Sequence, residues 1–274
     1  MRHWVLITGC STGIGRALVP LCREAGWGVV ATARNPSALA ELPPGEDLRI
    51  LPLDVTDRAS IAAAAEACAD LRLKGLVNNA GYAQVGPLEL LRPEELRAQF
   101  ETNVIGLQTV TNAFLPLLRR EKGARILQVA SMLGRLSIPL AGPYNASKHA
   151  VVALAESLRL ELGGEVAVVL VEPGAIRTAF RDTLAKVWGD LPERARGTRY
   201  EAVISSYLAR RKEQAERFAM TAEACASIML QALNAAHPPR RVTIGRDAHW
   251  AGRLKTLLPA AWWERLLRRL YGLG

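Results

Sequence analysis

Between residues 4 and 171 the chain alternates compact apolar runs with longer stretches of mixed polarity. The runs at 4–8, 28–32, 49–53, 75–78, 125–130 and 166–171 are rich in Val, Ile and Leu. They show little alternation, which is the pattern of strands buried on both faces. The stretches near 13–25, 57–70, 93–120 and 143–162 read as helices. This βαβα rhythm predicts an α/β fold, a doubly wound parallel sheet with helices on both sides. Ligands of such sheets bind beyond the carboxyl ends of the strands, near the point where strand order reverses. No repeat, low-complexity tract or linker interrupts the pattern. A single domain is therefore expected over 1–249, with an insertion at about 179–217 and an extension at 250–274.

Composition narrows this picture. The chain has 274 residues, 50% of them hydrophobic, enough for one large domain with a sizeable core. No stretch approaches the roughly 20 apolar residues of a membrane-spanning helix. The N-terminal apolar run is short and leads straight into a glycine loop, so it is expected to be a buried strand and not a signal peptide. Cys10, Cys22, Cys68 and Cys225 have neither metal-type nor CxxC spacing. They are expected to be reduced structural thiols of a cytoplasmic protein, with no metal site.

The net charge of +9 is unevenly placed. Residues 1–176 carry 17 basic and 17 acidic side chains, residues 177–217 carry 10 and 6, and residues 240–274 carry eight and two. A pI near 9.8 admits a nucleic-acid partner. No recognition motif or aromatic stacking pattern accompanies the charge, so none is expected.

The candidate chemistry falls just after the strands. The first strand exits into Thr8-Gly9-Cys10-Ser11-Thr12-Gly13-Ile14-Gly15. Glycines at 9, 13 and 15 permit a tight turn and close approach of a pyrophosphate, which the following helix N-terminus favours through its free N–H groups and dipole. An ordinary strand–helix turn is the alternative, since the spacing is not GxGxxG. After the second strand, Ala33 cannot grip ribose hydroxyls as an acid would, whereas Arg34 could pair with a 2′-phosphate. That favours NADP(H) over NAD(H), against the alternative of a solvated loop arginine. Asp54 and Val55 follow the third strand, where Asp54 could reach an adenine amino group, and Asp57 reads as a helix N-cap. Asn78-Asn79-Ala80-Gly81 ends the fourth strand with small residues that let backbone pass close to a cofactor; for this segment and the one at Asp54, taken alone, a turn with no ligand is the alternative. Tyr144 and Lys148 are four residues apart, one helical turn, so phenol and ammonium share a face. A fixed positive neighbour favours the phenolate and lowers the tyrosine pKa toward the working pH.

With Asn103, Ser131 and Pro173-Gly174, these segments resemble the short-chain dehydrogenase/reductase family from residue 4 to about 178. Thr8-Gly9-Cys10-Ser11 and the wording of 171–178 resemble its 17β-hydroxysteroid dehydrogenase-like subgroup. The resemblance implies a Rossmann-type domain and a redox enzyme forming a homo-oligomer. It also implies roles. Tyr144 would exchange a proton with the substrate oxygen, and Lys148 would hold the nicotinamide ribose and lower the Tyr144 pKa. Ser131 would hydrogen-bond the substrate oxygen, and Asn103 would bind a water linking Lys148 to solvent. Pro173, Gly174, Ile176 and Thr178 would meet the nicotinamide end. A silent dinucleotide-binding regulator or membrane-surface scaffold with the same fold is the alternative. His149 points about 100° away from Lys148 around the helix and is read as structural.

The residues flanking the expected pocket are mostly apolar: Tyr82, Val85, Met132, Leu133, Ile138, Leu140 and Ala175. The insertion adds Phe180, Trp188, Tyr200 and Tyr207 where the family builds a lid. A hydrophobic alcohol, ketone or aldehyde is expected. Arg135 and Arg177 either recognise an anionic group or stand exposed. In the tail, a helix over 262–271 places Trp262, Trp263, Leu266, Leu267, Leu270 and Tyr271 opposite Glu264, Arg265, Arg268 and Arg269. Packing on its own protein or a second subunit is the preferred reading. Peripheral contact with an anionic membrane through 250–274 is the other.

Overall fold

The computed structural model describes residues 2–177, 187–205, 207 and 219–273. Seven parallel strands form the central sheet in the order β3-β2-β1-β4-β5-β6-β7. They are β1 (Trp4–Ile7), β2 (Gly28–Ala33), β3 (Leu48–Pro52), β4 (Leu73–Asn78), β5 (Arg125–Val129), β6 (Ala167–Pro173) and β7 (Arg241–Ile244). Strand order reverses between β1 and β4, so a crevice opens beyond their carboxyl ends.

Helices cover both faces. On one lie α2 (Arg58–Glu66), α4 (Leu107–Leu118) and α5 (Gly142–Glu161), on the other α1 (Gly13–Glu24) and α6 (Ala222–Asn234). The covering explains the unalternating strands: Leu6 packs with Phe114 and Val151 in one layer, while its neighbours Val5 and Ile7 pack with Leu18 and Met229 in the other. Both layers need apolar side chains, so the period-two signal disappears. Asp57 caps α2, its Oδ1 accepting from the Ala59 N–H at 2.9 Å, and Thr221 caps α6 by accepting from Ala224 N–H.

The stretch expected as one helix over 93–120 is divided. Helix α3 (Pro93–Phe100) passes through a π-helical segment, Glu101–Gly106, before α4 begins. Such widened turns concentrate at functional sites, and this one carries Asn103. Beyond β6, Trp188, Leu191, Val203, Ile204 and Tyr207 pack with Ala83, Val85 and Leu140 into a third apolar cluster. The chain then closes with α7 (Arg246–Leu257) and α8 (Ala260–Tyr271), joined through Leu258-Pro259.

All four cysteines are buried thiols. Burial pushes Cys10, Cys22 and Cys225 up to about 12 and Cys68 up to about 11, which keeps them protonated and unreactive.

Candidate active site

The carboxyl edge of the sheet opens into a cavity of about 830 Å³. Its floor is the loop from β1 to α1. Gly9 adopts φ +71°, and a Cβ there would stand 2.9 Å from the Ala80 Cα. A Cβ on Gly15 would come within 2.6 Å of the Gly9 carbonyl oxygen. Both contacts are too close for any side chain, so glycine lets loop, helix and the Asn79-Ala80 turn nest together. Thr8 locks that nest: its Oγ1 accepts from the N–H groups of Asn79 and Ala80, each at 2.9 Å. Asn79 Nδ2 returns bonds to the carbonyls of Thr8 and Gly9.

Gly9, Ser11, Thr12, Gly13, Ile14, Arg34, Asp54, Val55, Asn79, Ala80, Gly81, Pro173, Gly174 and Ile176 line this one cavity, with Ser131, Tyr144 and Lys148. Gly15 lies beneath the lining, and Thr178 lies outside the described residues, as do Phe180 and much of the insertion. Arg34 is exposed at the mouth and makes no ion pair among the described residues. Asp54 Oδ1 accepts from both the N–H and the hydroxyl of Thr56, which fixes the carboxylate at the rim.

At the opposite end, Lys148 is buried, and its ammonium donates to the Val129 carbonyl at 2.8 Å. Loss of hydration pushes it down to about 8, so it is charged well below that pH and loses its charge as pH rises through it. The nitrogen stands 5.7 Å from the centre of the Tyr144 ring. Ser131 begins a tight turn, accepting from the Leu133 N–H at 3.2 Å and donating toward the Pro173 carbonyl at 3.4 Å. These bonds fix its hydroxyl on the wall of the cavity that Tyr144 also lines.

Asn103 is buried beside the cavity and not in its wall. Its Nδ2 donates to the Tyr82 carbonyl and to Ser147 Oγ, its Oδ1 accepts from the Tyr82 N–H, and Ser147 Oγ donates to the Tyr144 carbonyl. Its bonds therefore go to the Tyr82 backbone and, through Ser147, to α5. His149 faces away, its Nδ1 2.8 Å from the Asn145 carbonyl.

Three groups escaped sequence reasoning. Asp247, on α7, accepts the Ala175 N–H at 2.6 Å, and a Cβ on Gly174 would meet its oxygen at 2.2 Å. It thus holds the turn after β6 from 72 residues away, a pairing no local motif carries. Glu172 is fully buried between Arg135 and Arg241; burial raises its carboxyl pKa, and the two guanidiniums oppose the rise. Arg135 is therefore bound to Glu172, and Arg177 donates to the Ala219 carbonyl. Gln84 lines the cavity with its Nε2 buried and, among the described residues, without a hydrogen-bond partner.

A glycine-cradled helix N-terminus at the switch point of a parallel sheet, beside a serine, a tyrosine and a buried lysine, defines a dinucleotide-dependent oxidoreductase. The short chain dehydrogenase family model matches residues 3–187, and the chain belongs to that family. It is 40% identical to mouse 17-beta-hydroxysteroid dehydrogenase type 1 over 252 residues, 86% of this chain and 72% of that one. Among solved structures it resembles a short chain dehydrogenase from Burkholderia cenocepacia in complex with NADP, with TM-score 0.75 and 27% identity over 96% of this chain and 97% of that one. It also resembles a short chain dehydrogenase/reductase from Burkholderia phymatum in complex with NAD, with TM-score 0.81 and 27% identity over 93% of each. The enzyme is an oxidoreductase, and its cofactor is a nicotinamide dinucleotide. The cradle fits that group: Gly9 and Gly15 leave no room for a side chain, so the loop backbone itself lines the cavity floor.

Proposed function

We propose that the protein is an NADP(H)-dependent oxidoreductase that interconverts a hydrophobic ketone or aldehyde and its alcohol. The observation that carries this reading is the gathering of Ser131, Tyr144 and Lys148 on the wall of the cavity that the glycine loop floors. When bound, the dinucleotide supplies or accepts the hydride. Gly9, Ser11, Thr12, Gly13 and Ile14 would hold its phosphates at the N-terminus of α1. Asp54 and Val55 would meet the adenine, and Pro173, Gly174, Ile176 and Thr178 the nicotinamide. Exposed and unpaired, Arg34 is available to a 2′-phosphate, which supports NADP(H).

Tyr144 donates a proton to the substrate oxygen during reduction and removes it during oxidation. Lys148 stabilises the phenolate while it remains charged. Ser131 donates to the same oxygen as negative charge develops there. Asn103 positions Tyr144 through Ser147. Gln84 Nε2, buried at the wall and unpartnered, offers a hydrogen bond to an acceptor elsewhere on the substrate. The apolar cluster of Trp188, Leu191, Val203 and Ile204 beside the site supports a hydrophobic substrate, as does the relative named for a hydroxysteroid. Exposed Leu160 on α5 and Ile105 before α4 support a homo-oligomer.

A spectrophotometric screen of apolar ketones, aldehydes and alcohols with each nicotinamide cofactor tests the reading. Turnover with NADP(H) on apolar compounds is expected. Turnover with NAD(H) alone, or confined to charged substrates, would overturn it.

A further inference from the structure

Helices α7 and α8 leave most of their apolar surface uncovered. On α7, Trp250, Leu254 and Leu257 recur at i, i+4 and i+7, and they are 64%, 42% and 80% exposed. On α8, Trp262 and Leu270 are more than half exposed, Trp263, Leu266 and Leu267 are half-buried, and no residue of the helix is buried. Among the described residues, Tyr271 and Leu273 at the end of this surface reach the cluster around Trp188. Exposed tryptophan and leucine recurring along two successive helices mark an interaction surface.

The charges beside it identify the partner. Arg246, Arg253, Lys255, Arg265, Arg268 and Arg269 stand on these helices against Asp247 and Glu264. Among the described residues none of the six cations pairs with a carboxylate, and Asp247 is committed to the Ala175 N–H. Lys255 donates to the Arg135 carbonyl, which leaves its charge unneutralised. Arg253 stacks its guanidinium 5.8 Å from the Trp250 ring, so a cation is carried at the apolar stripe itself. A second copy of this face would bring like charge against like. A bilayer with anionic headgroups offers opposite charge at the rim and hydrocarbon at the centre. Neither helix is long and apolar enough to cross a membrane, so the geometry is that of helices lying on the surface.

We propose that α7 and α8 form a docking face for a lipid bilayer bearing anionic headgroups. It stands apart from the reading of the active site, because neither the cavity nor its lining enters the argument.

The test mixes the full-length protein with phosphatidylcholine vesicles made with or without phosphatidylserine and measures sedimentation. Binding to phosphatidylserine vesicles is expected, falling as salt rises. Arg265→Ala with Arg269→Ala should weaken it about tenfold or more, since each surface arginine contributes about 1 kcal/mol at such a membrane. Trp262→Glu with Leu270→Glu should abolish it without lowering the melting temperature, because both positions are exposed. Three results would overturn the proposal: no sedimentation of the parent protein, equal sedimentation of parent and both variants, or a parent whose mass by light scattering halves in the Trp262→Glu, Leu270→Glu variant. The last would make the face a contact between copies.

Discussion

Arginine behaves differently in the body and in the tail. In the body it often meets carboxylates in fixed geometry: Arg23 grips both oxygens of Asp47 at 2.8 Å, and Arg49, Arg72, Arg119 and Arg194 pair with Asp70, Glu121, Glu165 and Glu95. Around Glu172 two guanidiniums surround one fully buried carboxylate and tie the Ser131 turn to the sheet. In α7 and α8 the same residue type stands beside exposed tryptophan and leucine with no carboxylate partner among the described residues. Composition therefore says little until the partner is known. Exposed body pairs contribute only about a few tenths of a kcal/mol to stability and mainly fix geometry, whereas unpaired cations keep their charge for something outside the chain. The same contrast applies to Arg34, which is unpaired inside the otherwise neutral body and at the cavity mouth.

The contrast can be broken hardest at the closed end of the site. Tyr144→Phe removes the only proton that the tyrosine can exchange while leaving the ring in place. Turnover should fall by about 10²–10⁴-fold, and the dinucleotide should still bind in a fluorescence titration, since the glycine loop is untouched. Near-normal turnover would remove Tyr144 from the chemistry and with it the reading of the cavity.

Arg34 comes next. If it is unpaired because a 2′-phosphate is its partner, Arg34→Ala should raise the KM for NADP(H) about 10–100-fold, the value of one or two charge-assisted hydrogen bonds. The KM for NAD(H) should move little. Equal changes for both cofactors would make Arg34 a solvated loop residue like those the body elsewhere leaves at its surface.

Much of this was legible from spacing alone. Strands β1 to β6 fall within two residues of the apolar runs, because strands buried on both faces leave an unbroken signal. β7 was not legible: Arg241-Val242-Thr243-Ile244 lies at the sheet edge, half polar, with Arg241 and Thr243 turned to Glu172. The break before α4 was hidden as well, since a π-helical turn keeps helical composition. Motif residues at the cavity were readable because close backbone approach admits only glycine. The Arg135–Glu172 and Asp247–Ala175 contacts were not, since each joins segments far apart in the chain and neither partner has a local signature.

Asp247 is where tail and site meet, and it tests the comparison most finely. It belongs to a helix whose outer face bears exposed apolar residues, yet its carboxylate holds the turn expected to meet the nicotinamide. Asp247→Ala strands the Ala175 N–H and opens space against Gly174. A loss of about 5–10-fold in kcat/KM is expected, the value of one such hydrogen bond. It should come with weaker dinucleotide binding. Asp247→Asn keeps an oxygen that can accept the same N–H and should recover most of the loss. A role confined to stability would instead lower the melting temperature in both variants and leave kcat and KM unchanged in the folded enzyme. That outcome would separate the tail from the site altogether. Rescue by asparagine would show that one helix serves both, an inner side tuned to the loop and an outer side left for a partner.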